Sequence, residues 1–142
     1  MGKETDLNSF VRNVNQKFKL EFVVLFGSRA RKEALRSSDY DLLFVSDDFA
    51  KLDVFERIKE ILDLSDKLNV EPICFTKKEF ENKLKTYNAI VWMALAEGKV
   101  IFGEKNFGKY KRMFDRAIKE KKIVKLKGTL KFLVEPEIVA QL

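Results

Sequence analysis

Histidine is absent from this chain of 142 residues, and Cys74 is its only cysteine. The absence of histidine excludes a Ser-His-Asp triad, a Cys-His dyad and a histidine-ligated metal. A single cysteine excludes an internal disulfide and a zinc site made of several cysteines. Any metal ion must therefore be held by oxygen ligands, and such ligands favour Mg²⁺ or Mn²⁺.

Long apolar runs are also absent. The longest, Ala89–Ala96, has eight residues, whereas a membrane-spanning helix needs about 20. The polar segment Met1–Asp6 lacks the apolar core of a signal peptide. We therefore expect a cytoplasmic protein with no membrane partner.

Positive charge is concentrated in one part of the chain. The net charge is +6, yet residues 1–104 hold 17 basic and 18 acidic residues, whereas residues 105–131 hold 11 basic and two acidic. We expect residues 1–104 to form one domain, on which a basic, partly helical extension, residues 105–142, packs. The basic segment is either a solvated helix face or a surface for an acidic partner: a nucleic acid, nucleotide phosphates or an acidic protein.

Hydrophobic spacing predicts alternating helices and strands, hence an α/β or α+β fold with a small mixed sheet flanked by helices. Asp53 and Thr76 are predicted helix N-caps. Pro72 suits an edge strand or a bulge. The helix after Asp53 is predicted to bury one stripe, which includes Val54, Ile61 and Leu62. The predicted strands are Phe22–Phe26, Tyr40–Val45, Val70–Phe75 and Val100–Phe102; the predicted helices are 5–19, 28–35, 53–68, 77–85, 89–96 and one around 107–118.

One short stretch carries candidate chemistry. Gly27 permits a sharp turn and close approach of a phosphate, and Ser28 with the following backbone N–H groups forms an anion site. Asp39 and Asp41, two residues apart on a strand, project from one face. Two carboxylates that close favour a cation between them, which indicates a Mg²⁺ site beside a phosphate site. The alternative is an ordinary turn followed by a solvated strand end.

Three more residues are candidates for this site. Glu71, at the start of the third strand, is the best third carboxylate, able to bind metal and to orient or deprotonate an attacking hydroxyl. Arg29 and Arg31 either add positive charge beside a phosphate or are solvated helix residues. The phosphate turn, the two aspartates and these three candidates together are suited to catalysing in-line attack on the α-phosphate of a nucleotide.

Gly27-Ser28, ten residues, then Asp39-Tyr40-Asp41 resembles the Gly-Ser-x10-Asp-x-Asp signature of the DNA polymerase beta-type nucleotidyltransferase superfamily. The stretch GSRARKEALRSSDYDLLFV is most similar to its minimal nucleotidyltransferases, in prokaryotes often the antitoxin partners of HEPN-domain toxins. The resemblance covers roughly residues 7–102. It implies a small mixed sheet, Mg²⁺-dependent transfer of a nucleoside monophosphate, ATP as the donor, and a hydroxyl on a HEPN-type protein as the acceptor.

The same resemblance assigns roles by position. Gly27 and Ser28 match the phosphate-binding turn, and Asp39 and Asp41 match two metal ligands. Glu71 falls where the family often has an aspartate.

Three functions stay open on the sequence. The first is a nucleotidyltransferase that modifies a partner protein. The second is a binding module that neutralises a partner by contact, with weak or no catalysis. The third is a nucleic-acid-binding protein that uses residues 105–131. Whether the protein forms a homo- or hetero-oligomer stays open under each function.

Overall fold

The structure is a computed structural model that describes residues 3–30, 39–86, 88–125 and 132–134. The described elements, in chain order, are α1 (Lys3–Lys17), β1 (Phe22–Phe26), β2 (Tyr40–Val45), a 3-10 helix (Asp47–Lys51), α2 (Val54–Leu64), β3 (Val70–Phe75), α3 (Lys77–Lys85), α4 (Ala89–Glu97), β4 (Lys99–Phe102), α5 (Glu104–Lys119), β5 (Ile123–Lys125) and β6 (Phe132–Val134).

Four of the strands form a mixed sheet in the order β3-β2-β1-β4. β1 is antiparallel to both β2 and β4, whereas β2 and β3 are parallel. β3 therefore lies at an edge of the sheet, which is where Pro72 is tolerated because it has no N–H to donate to a ladder. The expected class, a small mixed sheet flanked by helices, is confirmed. β5 and β6, which the sequence pattern did not predict, pair antiparallel in a separate two-stranded sheet.

Both faces of the four-stranded sheet are covered, so β1 is buried along its whole length. On one face, α1 and Ile61 of α2 pack on the side chains of Val23, Leu25, Leu42 and Phe44. On the other, α3, α4 and α5 pack on the alternate residues of β1 and β2. The buried side of α5 is formed by Phe107, Tyr110, Phe114 and Ala117, so the start of the basic segment shares the core of residues 1–104.

Two capping boxes fix the starts of α2 and α3. The Asp53 carboxylate accepts from the Glu56 N–H, and the Glu56 carboxylate accepts from the Asp53 N–H. Thr76 and Glu79 repeat this arrangement at α3. Each box satisfies N–H groups that a helix start leaves without a partner, which stabilises it by about 1 kcal/mol. Both caps agree with the sequence prediction.

The predicted apolar face of α2 is wrong in part. Val54 and Leu62 are 62% and 43% exposed, whereas Arg57 is buried. Of the predicted short helix 28–35, residues 28–30 form a turn and the remainder lies outside the described residues. In the described part of the chain, no helix is both long and apolar enough to cross a membrane.

Candidate functional site

Gly27 and Asp41 meet at the end of the β1–β2 ladder. Phe26 pairs with Asp41 in the antiparallel register, and the chain turns at Gly27 with φ +74°. A Cβ on Gly27 would lie only 2.3 Å from Oδ2 of Asp41. The missing side chain therefore makes room for the Asp41 carboxylate, and the positive φ is a conformation that glycine adopts without strain. The predicted sharp turn at Gly27 is present.

Asp41 and Glu71 are neighbours across the parallel β2–β3 pair. They are direct partners in the register, and adjacent strands lie about 4.8 Å apart. Paired residues of neighbouring strands share a face, so both side chains lie on the face that packs against α3, α4 and α5. Asp41 is half-buried and Glu71 is exposed. The pairing of β2 with β3 thus places side by side two carboxylate residues that are 30 positions apart in sequence.

Asp39 lies one residue before β2, where the Tyr40 N–H donates to the Asn69 carbonyl, and its side chain is exposed. Among the residues that the structure describes, no group of three or more His, Cys, Asp or Glu side chains could hold a metal ion. Magnesium commonly uses only one or two carboxylates, together with waters and substrate phosphates. The oxygen donors of Asp41 and Glu71 fit that chemistry. The three-carboxylate arrangement stays a prediction.

The two predicted arginines have different outcomes. The Arg29 guanidinium carbon lies 4.1 Å from the centre of the Tyr40 ring, a cation–π distance. Tyr40 belongs to the core beneath α1, on the opposite face of β2 from Asp41. Arg29 is therefore stacked on this ring, and a phosphate contact from this position stays a prediction. Arg31 lies outside the described residues. Ser28 is in the turn after Gly27, partly exposed.

Arg57 organises the outer side of β3, a role that the sequence pattern did not reveal. Its guanidinium donates to the Phe49, Leu52 and Cys74 carbonyls and to both carboxylate oxygens of Glu79. The Arg57 hydrogen bond holds the pKa of Glu79 below its usual value. One buried cation thus ties α2 to the last turn of the 3-10 helix, to β3 and to the start of α3.

An apolar groove of about 430 Å³ runs beside β3. Val54, Ile58, Pro72, Ile73 and Phe75 line it together with Arg57 and Ile90. Phe55, which follows Val54 on α2, is 83% exposed. Exposed apolar surface of this kind is typical of contact sites for partners. The strand that carries Glu71 is therefore bordered by a surface suited to a protein.

Residues 7–96 match the family model described as "Nucleotidyltransferase domain". The chain is also similar to a curated protein of Methanocaldococcus jannaschii described as "Putative protein adenylyltransferase MJ1305". The two are 31% identical over 111 residues, which cover 72% of this chain and 74% of that protein. Residues 7–96, which the family model matches, contain the Gly27–Ser28 turn, Asp39, Asp41 and Glu71.

Two solved structures are similar at a lower level. One, a "putative nucleotidyltransferase from Sulfolobus solfataricus", is 26% identical with a TM-score of 0.49, and covers 68% of this chain and 77% of that one. The other, a tri-AMPylated Shewanella oneidensis HEPN toxin in complex with an MNT antitoxin, is 15% identical with a TM-score of 0.44, and covers 84% and 96%. The family model and the Methanocaldococcus protein carry the assignment.

Proposed function

Because the chain belongs to the nucleotidyltransferase domain family, we propose that it transfers AMP from ATP to a hydroxyl group of a partner protein. The observation that supports this most directly is the pairing of Asp41 with Glu71 beside the Gly27 turn. The donor is proposed to be ATP and the acceptor a protein because the Methanocaldococcus relative is described as a "Putative protein adenylyltransferase".

In the proposed reaction, the acceptor oxygen attacks the α-phosphorus of ATP in line with the leaving group. The new oxygen–phosphorus bond forms as the bond between the α-phosphorus and the bridging oxygen breaks, and pyrophosphate leaves. The hydroxyl proton passes to a carboxylate, for which Glu71 is the candidate because it is exposed beside Asp41. The backbone N–H groups at Ser28 bind the phosphates of ATP.

Magnesium, or manganese, would be held by Asp41, Glu71 and Asp39. When bound, it neutralises charge that develops on the phosphate oxygens. Without a cation the carboxylates and the triphosphate would repel each other, so ATP would bind at Asp41 and Glu71 only together with the metal ion.

The acceptor is proposed to be a HEPN-type toxin, on the resemblance of residues 27–45 to minimal nucleotidyltransferases. The exposed Phe55 and the groove beside β3 support a protein acceptor, since a small-molecule acceptor needs no such contact surface. A HEPN-type protein encoded in the adjacent reading frame would be the first candidate to test.

The experiment measures Mg²⁺·ATP binding by calorimetry, and the transfer of labelled AMP to the HEPN-type protein encoded in the adjacent reading frame. The double variant Asp39→Asn/Asp41→Asn should lose both signals. Asp63→Asn/Asp115→Asn is the matched control: it removes the same charge from two exposed ion pairs with Lys59 and Lys111, which contribute little stability. Equal transfer by the first variant and the wild type would refute the proposal.

A second function, neutralisation by contact, is favoured by the exposed apolar side chains of Val54, Phe55 and Leu62. A partner neutralised equally by the Asp39→Asn/Asp41→Asn variant, and no longer by Phe55→Glu, would favour this binding module over the enzyme.

A further inference from the structure

The outward face of α5 carries an unbroken line of positive charge, separate from the candidate site. The residues follow each other at intervals of four, three, four and three, which places them on one side of a helix. All are exposed, and they lie opposite the buried side of α5. They are Lys105, Lys109, Arg112, Arg116 and Lys119, called here the basic stripe.

The described carboxylates form their ion pairs with cations outside the basic stripe. Within the described ranges, none of its five residues forms an ion pair. Asp115 pairs with Lys111, and Glu120 pairs with Lys122. Arg116 contributes less than Lys122 to the lowered pKa of Glu120, so both carboxylates of this region are paired mainly with lysines outside the stripe. Lysines on other helices do form ion pairs: Lys17 pairs with Glu60, and Lys59 pairs with Asp63.

The composition of the stripe identifies the class of partner. Protein interfaces are depleted in lysine but enriched in arginine, methionine and aromatic residues. Three of these five residues are lysines, and the aromatic ring beside them, that of Tyr110 under Lys109, is buried. Met113, 40% exposed, is the large apolar residue beside the stripe. Binding of single strands also relies on aromatic stacking. The face thus suits a phosphate backbone better than a protein surface or an unpaired strand.

The dimensions agree with such a partner. From Lys105 to Lys119 the helix rises about 21 Å, and duplex nucleic acid carries one charge per about 1.7 Å of its axis. The cations can therefore each meet a phosphate without any base-specific contact. We propose that the basic stripe binds the backbone of duplex RNA or duplex DNA, independently of sequence.

The candidate site and the basic stripe are distinct in chemistry. Asp39, Asp41 and Glu71 place negative charge at the sheet end, whereas all the net positive charge of the chain arises within residues 105–131. The proposal extends the proposed function without depending on it, because duplex binding requires neither ATP nor the carboxylates. The Asp39→Asn/Asp41→Asn variant should therefore bind a duplex at least as tightly as the wild type.

The test uses fluorescence anisotropy with labelled duplex RNA and duplex DNA of about 20 base pairs, over a range of salt concentrations. The variant Lys109→Gln/Arg112→Gln/Arg116→Gln removes three charges from the stripe. Lys51→Gln/Lys67→Gln/Lys78→Gln is the matched control, since it removes three exposed charges from residues 1–104. Circular dichroism and thermal unfolding confirm that both variants are folded.

The stripe variant should bind at least about tenfold more weakly, and the slope of log affinity against log salt should fall by about 2.7, or 0.9 for each lost contact. The control should stay within about twofold of the wild type, the change expected when no phosphate contact is lost. Comparison of the two duplexes shows whether RNA or DNA is preferred. Equal losses in both variants, no duplex binding by the wild type, or equally strong competition by poly-glutamate would overturn the proposal.

Discussion

The carboxylate of Asp41 occupies the space that a side chain on Gly27 would need, with a virtual Cβ 2.3 Å from Asp41 Oδ2. The glycine that opens the candidate phosphate turn is therefore also the residue against which a candidate metal ligand rests. Any side chain at position 27 must displace that carboxylate.

Gly27→Ala should consequently reduce AMP transfer by at least about tenfold, because Asp41 moves and the turn at φ +74° becomes strained. The free energy of unfolding should fall by about 1–2 kcal/mol for an alanine in this left-handed conformation. Transfer kinetics and chemical denaturation measure the two effects.

Gly108→Ala is the control for this change. A Cβ there meets only Arg112, at 3.1 Å from a guanidinium nitrogen that can move aside, and alanine favours a helix by about 1 kcal/mol over glycine. This variant should keep full transfer activity and become more stable. Similar activity losses in both glycine variants would show that the loss in Gly27→Ala does not arise from displacement of the Asp41 carboxylate.

Glu71→Gln should lower the rate of transfer by about 10²-fold or more, the usual contribution of a general base. Mg²⁺·ATP binding should weaken less, because Asp39 and Asp41 remain. Since Glu71 is exposed, thermal stability should not change. Glu104→Gln, at another exposed glutamate, is the control; an unchanged rate in Glu71→Gln would exclude Glu71 as the base.

The strongly patterned parts of the fold could be predicted from the sequence. β1, β2 and β3 begin and end at the predicted residues, because short β-rich runs between turn signals leave few alternatives. The placement of Asp41 beside both Gly27 and Glu71 could be expected only in outline. It depends on an antiparallel and a parallel register that spacing along one chain does not encode.

Arg57 shows why other features of the fold could not be predicted from the sequence. A hydrophobicity pattern does not distinguish a buried arginine from a solvated one. The partners of Arg57 on β3 and α3, Cys74 and Glu79, are 17 and 22 residues away in sequence. The pattern therefore assigned Val54 and Leu62 to the buried face. The stacking of Arg29 on Tyr40 likewise depends on how the chain folds, and the hydrophobic pattern does not indicate it.

Cys74 should be nearly unreactive in the folded protein. It is 7% exposed, and burial raises the pKa of its thiol to about 12, so almost no thiolate is present near pH 8. Modification by a disulfide reagent should be at least about 100-fold faster in denaturant, where the pKa returns to about 8.5. Rapid reaction without denaturant would indicate that edge strand β3 opens readily.

The ion pair of Arg57 with Glu79 should make stability depend on pH in the acid range. Arg57 lowers the pKa of Glu79 from its ordinary value of 4.5, so the unfolded chain binds its proton first as pH falls. The pair's contribution is complete above this ordinary value and is lost as pH falls through the lowered pKa. Denaturation of the wild type should therefore depend more steeply on pH below 4.5 than that of Glu79→Gln.

Arg57→Met should destabilise the protein more than Glu79→Gln does. It removes the Arg57 donor from the Leu52 and Cys74 carbonyls, at a cost of about 2–3 kcal/mol, whereas Glu79→Gln leaves every carbonyl contact of Arg57 in place. Glu79 is 41% exposed and can be solvated when Arg57 is lost. In a double-mutant cycle by urea denaturation, the two effects should not be additive, because both groups belong to one network. Additive losses would mean that Arg57 stabilises β3 through its carbonyl contacts alone.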